Sequence, residues 1–369
     1  MKKRTIAALS ALLMGVYAIS GCAVSVASEP DKVVIEDPTI PVTKTVSISG
    51  SGDVLAHSRQ YNVAWNGKRY DFVSQFAKLQ KLLTADVNLC HLETPLSKGT
   101  PSGYPVFSTP VSLAPALKAA GWDGCSIASN HSLDKGKAGV ISTLKYMEKA
   151  GLVTAGAKTK ESGTTTGWYT TDQGVMVAQL SYSWGFNGMP MPSDTPWLVN
   201  KISSKRIIAE AKAAKLAGAD LVIVSMHWGN EYWDNPSETQ KSQAEKLTAS
   251  EYVDGIIGHH PHVIQPAKIV NGKPVIYSTG NLWSGQGPWA DLPRGQHGVV
   301  VTLNYEITDG EVTYTGGSFV PTLTMNWTWV VKDARDVDRA DQIAEACRAI
   351  KDAADHLYPV LDGPTKCPN

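Results

Sequence analysis

Five short apolar runs in this chain each close in residues that bind metals or move protons, and that recurrence constrains the fold more than any other feature. They end in Asp53 with His57, His91 with Glu93, Asn130 with His131, His227 with Glu231, and Gly258-His259-His260-Pro261-His262. An apolar run stopping at a sharp polar turn reads as a buried strand that delivers its C-terminal end to a surface. Between the runs lie segments with helical spacing: 71–83 (Phe72, Phe76, Leu79, Leu82, Leu83), 113–120, 136–150 (Val140, Ile141, Leu144, Met147), the Ala-rich 202–216, and 238–250. Strands alternating with helices predict an α/β layered domain. In open α/β sheets the groups at strand C-terminal ends converge on one edge, where ligands bind. Two further strand-like stretches, 298–308 and 311–320, are joined by Asp309-Gly310 with no helix between them. Two sheets packed face to face, with helices outside, are therefore expected. Residues 338–357 read as a C-terminal helix packed outside the main body.

A single histidine at a strand end is more often a hydrogen-bonded structural residue than a ligand. Here seven of the nine histidines stand at such ends, with only His297 and His356 elsewhere, so the set points to a functional site. Carboxylates, an amide oxygen and imidazoles, without thiolates, suit Mn, Fe or Zn. Six or seven candidate ligands exceed the four that one zinc takes, and two divalent ions would use them all, activating water and clamping a phosphoryl group. No Gly-rich phosphate loop follows any strand. Formal net charge is zero and no long basic block is present, which argues against nucleic acid as a partner.

The N-terminus reads as a targeting segment, with a basic start at Met1-Lys2-Lys3-Arg4 and a mostly apolar stretch from Thr5 to Ser20. It ends in Ile19-Ser20-Gly21-Cys22, which resembles a bacterial lipobox. Cys22 is the expected lipidation site and would anchor the protein to the extracytoplasmic face of a bacterial cell membrane. Residues 1–22 are thus read as a lipoprotein signal peptide and 23–44 as a flexible tether. Cys347 and Cys367 are placed to staple the C-terminal tail, since exported proteins form disulfides. Cys90 and Cys125 fall in core strands and read as small buried residues.

Six segments, in order, resemble the successive motifs of the CapA/PgsA poly-γ-glutamate capsule-biosynthesis family, within the calcineurin-like metallophosphoesterase superfamily. They are Gly52-Asp53, Leu92-Glu93-Thr94-Pro95-Leu96, Ser129-Asn130-His131-Ser132-Leu133-Asp134-Lys135-Gly136, His227-Trp228-Gly229-Asn230-Glu231-Tyr232, His260-Pro261-His262-Val263-Ile264-Gln265 and Tyr277-Ser278-Thr279-Gly280-Asn281. The resemblance spans about 45–325, with 326–369 as a C-terminal helical extension, and implies a four-layer α/β/β/α sandwich with a dinuclear metal site. Carried over motif by motif, it makes Asp53, His57, Glu93, Asn130, His227, His260 and His262 the metal ligands, with Glu93 as the bridging carboxylate. It makes His131 the catalytic histidine that protonates a leaving group or steadies the transition state, and Asp134 the residue that orients it. His57 lies farther from Asp53 than the superfamily's Asp-x-His spacing. His91 stands where the family usually has Asn, either as a ligand or as a hydrogen-bond partner of one, and His259 is a neighbour of the ligand pair. Glu231 and Tyr232 are candidate substrate contacts or hydrogen-bond partners of a ligand. Arg294 and Lys135 are candidate anion binders by position. Trp184, Trp228, Trp233, Trp283 and Trp289 near the motif loops either line a polymer groove or fill the core.

The reading that follows is a lipid-anchored metal-dependent hydrolase, acting on a phosphoester or on the γ-glutamyl amide of an anionic polymer, in capsule synthesis, export or processing. A polymer synthase or export complex is the expected partner. The alternative is a non-enzymatic, membrane-tethered accessory subunit whose metal site is structural.

Overall fold

The computed structural model describes residues 42–287, 292 and 294–367. The expected signal peptide and lipidation site, most of the tether, and Trp289 lie outside them. In chain order the elements are β1 (Thr43–Leu55), α1 (Ser58–Ala64), α2 (Val73–Phe76), β2 (Val87–Leu92), β3 (Leu96–Ser97), β4 (Thr109–Pro110), α3 (Leu113–Ala120), β5 (Gly124–Ser126), α4 (Gly136–Lys149), β6 (Val153–Ala155), β7 (Gly167–Thr170) and β8 (Met176–Ser183). They continue with α5 (Ser204–Leu216), β9 (Leu221–His227), α6 (Glu238–Thr248), β10 (Gly255–His259), β11 (Ile264–Val270), β12 (Lys273–Thr279), β13 (Asn281–Ser284), β14 (His297–Thr308), β15 (Glu311–Thr324), β16 (Val331–Asp333) and α7 (Ile343–Leu357).

Apart from the short β3–β4 pair, the strands form the two expected sheets. One runs β16-β15-β14-β1-β2-β5-β6 with β13 beside β1, and the other β11-β12-β10-β9-β8-β7. Between them lies an apolar layer in which Ile48, Val87 and Leu89 meet Val177, Ile223, Ile257 and Ile276. The outer face of the first sheet is covered by the helices of the first half, through Phe76, Leu113, Leu117, Val140 and Met147. The outer face of the second is covered by α5 and α6, through Ile207, Ala211, Ala244 and Leu247. This is the four-layer α/β/β/α arrangement. Among the described residues no helix is long and apolar enough to cross a membrane.

Several expectations are corrected. The segment 71–83 holds one short helix, α2, and then proceeds by i to i−3 hydrogen bonds (Leu79 N–H to Phe76 O, 2.9 Å; Leu82 N–H to Leu79 O, 2.8 Å). That tighter winding still buries Phe72, Phe76 and Leu79, so apolar spacing alone does not separate it from an α-helix. β1 starts at Thr43, inside the expected tether, because Thr43 and Lys44 pair with Thr308 and Ile307 of β14. α7 is not peripheral: Ala353 and Leu357 join the layer between the sheets, and Ala346, Ala349 and Ile350 pack on Leu323 and Met325.

Cys347 and Cys367 form the expected disulfide. Cys90 and Cys125 are buried as expected, yet they too are bonded to each other. They are register partners on the adjacent parallel strands β2 and β5, with Cα atoms 4.4 Å apart, a separation that sequence alone does not give.

Candidate metal centre

Parallel pairing brings the predicted residues together. β1, β2 and β5 of one sheet run parallel to one another, as do β9 and β10 of the other, and their C-terminal ends share one edge of the sandwich. Close backbone approach there needs glycine. A Cβ on Gly52 would come within 2.6 Å of Gly280 O and Leu282 N, and one on Gly258 would collide with the Tyr277 carbonyl. The loop after β10 carries His260 and His262 at φ 94° and 59°. Non-glycine residues rarely adopt positive φ, and such strain persists where the surroundings over-determine it.

Two groups of donor atoms result, Asp53–Glu93–His262 and Glu93–His227–His260, each with its atoms within 4.8 Å of one another. They share Glu93, the residue expected to bridge. Asn130 joins the second group, with Oδ1 2.9 Å from His227 Nε2. Glu93 is 1% exposed, and neither of its carboxylate oxygens has a hydrogen-bond partner; nor has Nδ1 of buried His260. A buried carboxylate without donors is costly unless a cation compensates it. The donor set is therefore the one a pair of divalent ions would complete.

The electrostatics agree. Burial pushes the Glu93 carboxyl well above its ordinary range. Burial also disfavours charge on Asp53, but hydrogen bonds from His259 and His262 hold its pKa well below the usual carboxylate value. Burial lowers His260 to about 3 and holds His91 and His227 well below the ordinary imidazole value, leaving them neutral, as ligation requires. Against its burial, His262 is raised to about 9 by Glu93 and Asp53. The two carboxylates draw positive charge to the point between them.

Surrounding groups orient the ligands. His260 donates its backbone N–H to Asp53 Oδ2 (3.0 Å) and His259 Nδ1 lies 3.1 Å from Asp53 Oδ1, so His259 is a partner of Asp53. His262 Nδ1 is 3.0 Å from Asn281 Oδ1. The Asn281 amide is fixed because its Nδ2 donates to Gln286 Oε1 (2.8 Å) and to Gly295 O (2.9 Å). Such outer contacts set tautomer and ring orientation. Asn281 ends a motif visible in the sequence, but its role needs the β12–β13 turn to bring it back against β10.

His131 and Asp134 pair as expected, Nδ1 to Oδ2 at 2.8 Å. Asp134 Oδ2 also accepts the Phe107 N–H (2.7 Å), which holds the carboxylate in place. Asn187 was not legible. It accepts from Asn130 Nδ2 (3.3 Å) and places its own amide 3.4 Å from His131 Nδ1. An Asn-Gly pair after β8, with Asn187 at φ 49°, was the only signal, and it reads equally well as a turn.

The remaining candidates are placed as follows. His57 lies outside both donor groups; its Nδ1 accepts the Gly285 N–H (3.1 Å), and burial lowers it to about 4. His91 is part of a third cluster with Asp53 and His259. Glu231 is exposed yet within reach of His260 and His262. Tyr232 sits beside His262 with ring centroids 6.0 Å apart and accepts from Gln286 Nε2 (3.1 Å). Arg294 is not a free anion binder, because Asp234 and Asp352 hold its guanidinium. Lys135 sits at the N-terminal end of α4. Trp228 and Trp283 are core residues bonded to Tyr277 O and Trp329 O, whereas Trp184 and Trp233 are exposed, and Trp184 leans over His260 at 5.6 Å.

Residues 47–286 match the model of the bacterial capsule synthesis protein family PGA_cap. The capsule biosynthesis protein CapA of Bacillus anthracis is 34% identical over 175 residues, 47% of this chain and 42% of that protein. A probable polyglutamine synthesis accessory protein of Mycobacterium tuberculosis is 28% identical over 234 residues, 58% of this chain and 59% of that protein. The match thus spans about two-fifths to three-fifths of these relatives' length. Among solved structures, the calcineurin-like phosphoesterase YfkN from Bacillus subtilis aligns with a TM-score of 0.47 at 16% identity, over 84% of this chain and 96% of that one.

Proposed function

This chain belongs to the bacterial capsule synthesis protein family, and from that premise we propose that it is a metal-dependent hydrolase acting on an anionic capsule polymer or its phosphoester precursors. The observation that carries the proposal is Glu93, a buried carboxylate with both oxygens unpartnered, shared by two clusters of imidazole and carboxylate donors. Asp53 and His262 would hold one ion; Asn130, His227 and His260 the other; Glu93 would face both. Two such ions polarise a phosphoryl or carbonyl oxygen and activate water. The protein's own groups supply the rest. Asp134 accepts the Nδ1 proton of His131 and fixes the ring, so that when Nε2 also carries a proton it could be passed to the leaving group. From the loop after β8, Asn187 accepts from Asn130, and its amide nitrogen lies 3.5 Å from His131 Nε2. Exposed Trp184 and Glu231 flank the histidines where substrate would enter.

The same proposal places the protein on the extracytoplasmic face of the membrane, anchored through lipidated Cys22 and associated with a polymer synthase or export complex. Cys22→Ser then releases the protein from membranes, and a variant that stays bound would locate the anchor elsewhere.

A second reading, an accessory subunit with a structural metal, is favoured by the accessory role in the printed name of the mycobacterial relative. Metal content and turnover separate the two. Two ions per chain, with manganese-dependent hydrolysis of a phosphodiester or a γ-glutamyl peptide, support the hydrolase. Two ions without either activity would support the accessory subunit.

A further inference from the structure

His91 extends the centre inward in a way that its position in the motif does not explain. Its Nε2 lies 2.9 Å from His227 Nδ1, and its Nδ1 lies 2.7 Å from Ser126 Oγ. Ser126 Oγ in turn reaches Cys90 O at 3.4 Å, and His227 Nε2 reaches Asn130 Oδ1 at 2.9 Å. Ser126, His91 and His227 are all fully buried. Both ring nitrogens of His91 are therefore committed to hydrogen bonds. Its ring also lies nearly parallel to that of His259, with centroids 4.1 Å apart and planes 13° apart. In-plane lone pairs of stacked rings do not converge on one point, which argues against a shared ion between His91 and His259.

We infer that Ser126, His91 and His227 form a reversible hydrogen-bond relay whose direction is set by whether a divalent ion holds His227. The inference rests on the metal reading of His227 given above. A neutral imidazole carries one N–H, so the chain from Ser126 through His91 to His227 has two self-consistent directions. Without an ion, His227 Nε2–H donates to Asn130 Oδ1, His91 Nε2–H donates to His227 Nδ1, and the Ser126 hydroxyl donates to His91 Nδ1. The amide of Asn130 is compatible with this, since its Nδ2 is turned to Asn187 and its oxygen to His227. With an ion on His227 Nε2, that nitrogen can carry no proton. His227 Nδ1–H then donates to His91 Nε2, His91 Nδ1–H donates to Ser126 Oγ, and the serine hydroxyl turns to Cys90 O. Each group carries one proton in both arrangements, so the reversal releases none net: the proton displaced from His227 Nε2 passes to solvent, and a proton from solvent restores the serine hydroxyl. His91 is thus a positioning residue, one that accepts the proton His227 must carry on Nδ1 when it ligates.

The test uses ¹⁵N-histidine-labelled protein, metal-free and zinc-loaded, with the His91 and His227 signals assigned from His91→Gln and His227→Gln. Both rings are expected as Nε2–H tautomers without zinc and as Nδ1–H tautomers with it. His91→Phe, which removes the acceptor, is expected to weaken zinc binding about 10- to 100-fold while leaving the number of sites unchanged. His91→Gln, whose amide oxygen can accept, is expected to recover most of that loss. If zinc binds but His91 keeps its tautomer, or if His91→Phe loses one whole ion, the relay is wrong and the metal reading stands. If zinc changes neither the histidine spectrum nor the melting temperature, the metal reading fails and the relay falls with it.

Discussion

Glu93 Oε1 lies 3.7 Å from His262 Nε2 and 3.9 Å from His227 Nε2, so one carboxylate faces a nitrogen ligand from each of two groups while accepting no hydrogen bond. This predicts a reversal of stability. Without metal, Glu93→Gln removes a carboxyl whose ionisation burial opposes and whose oxygens have no hydrogen-bond partner, and raises stability by about 1–3 kcal/mol. With saturating manganese the order inverts, because the variant loses the shared ligand. Thermal melts in chelator and in manganese check this; a variant less stable than wild type in both would show that Glu93 is structurally paired.

His131 and Asp134, proposed to act on protons, lie outside both donor groups. His131→Ala is expected to lower turnover by about 10²- to 10⁴-fold with metal content unchanged. Asp134→Asn should lower it less, since Phe107 N–H still finds an acceptor. Metal analysis beside steady-state kinetics distinguishes this from loss of the centre.

His259 and His260 are adjacent but not equivalent. His260→Ala should abolish binding of one ion, because His260 belongs to the donor set and its Nδ1 has no other partner. His259→Ala removes only the partner of Asp53 Oδ1 and should weaken binding about 10- to 100-fold. Titration with zinc reads both; equal loss of a whole ion in each variant would make His259 a ligand.

A second buried network ties α7 to β14. His297 contacts Glu345 (2.6 Å) and Asp352 (3.3 Å), and Asp352 also receives Arg294 and His356. Although burial works against the charge, these carboxylates raise the His297 pKa. A raised folded-state value means that the stabilisation is complete below the unfolded value of about 6.5 and fades as pH rises through the folded one. Asp352 and Glu345 are held low by the histidines and arginines despite burial, so they remain ionised across that window. The melting-temperature gap between wild type and His297→Gln should therefore be widest near pH 6 and narrow toward pH 9. A gap independent of pH would mean that His297 is neutral in the folded protein.

The paired layers were legible because periodicity reports which face of an element is buried. Asp53, Glu93, Asn130, His227, His260 and His262 were legible because each closes an apolar run. What escaped depends on distance through space. Cys90 and Cys125 became partners only through the β2–β5 register. Asn187 and Asn281 act from turns whose chemistry looks ordinary in sequence. His297 seemed unattached because its partners lie on a helix about fifty residues onward, which was expected to pack elsewhere. Arg294 drew attention as a cation near the motifs, and two aspartates hold it.

The most direct test of the bridged centre is an anomalous-difference map from crystals of the manganese-loaded protein. Two peaks are predicted, one near Asp53 and His262 and one near Asn130, His227 and His260, with the Glu93 carboxylate between them. No peak at this edge of the sandwich, or a single peak away from Glu93, would contradict the account.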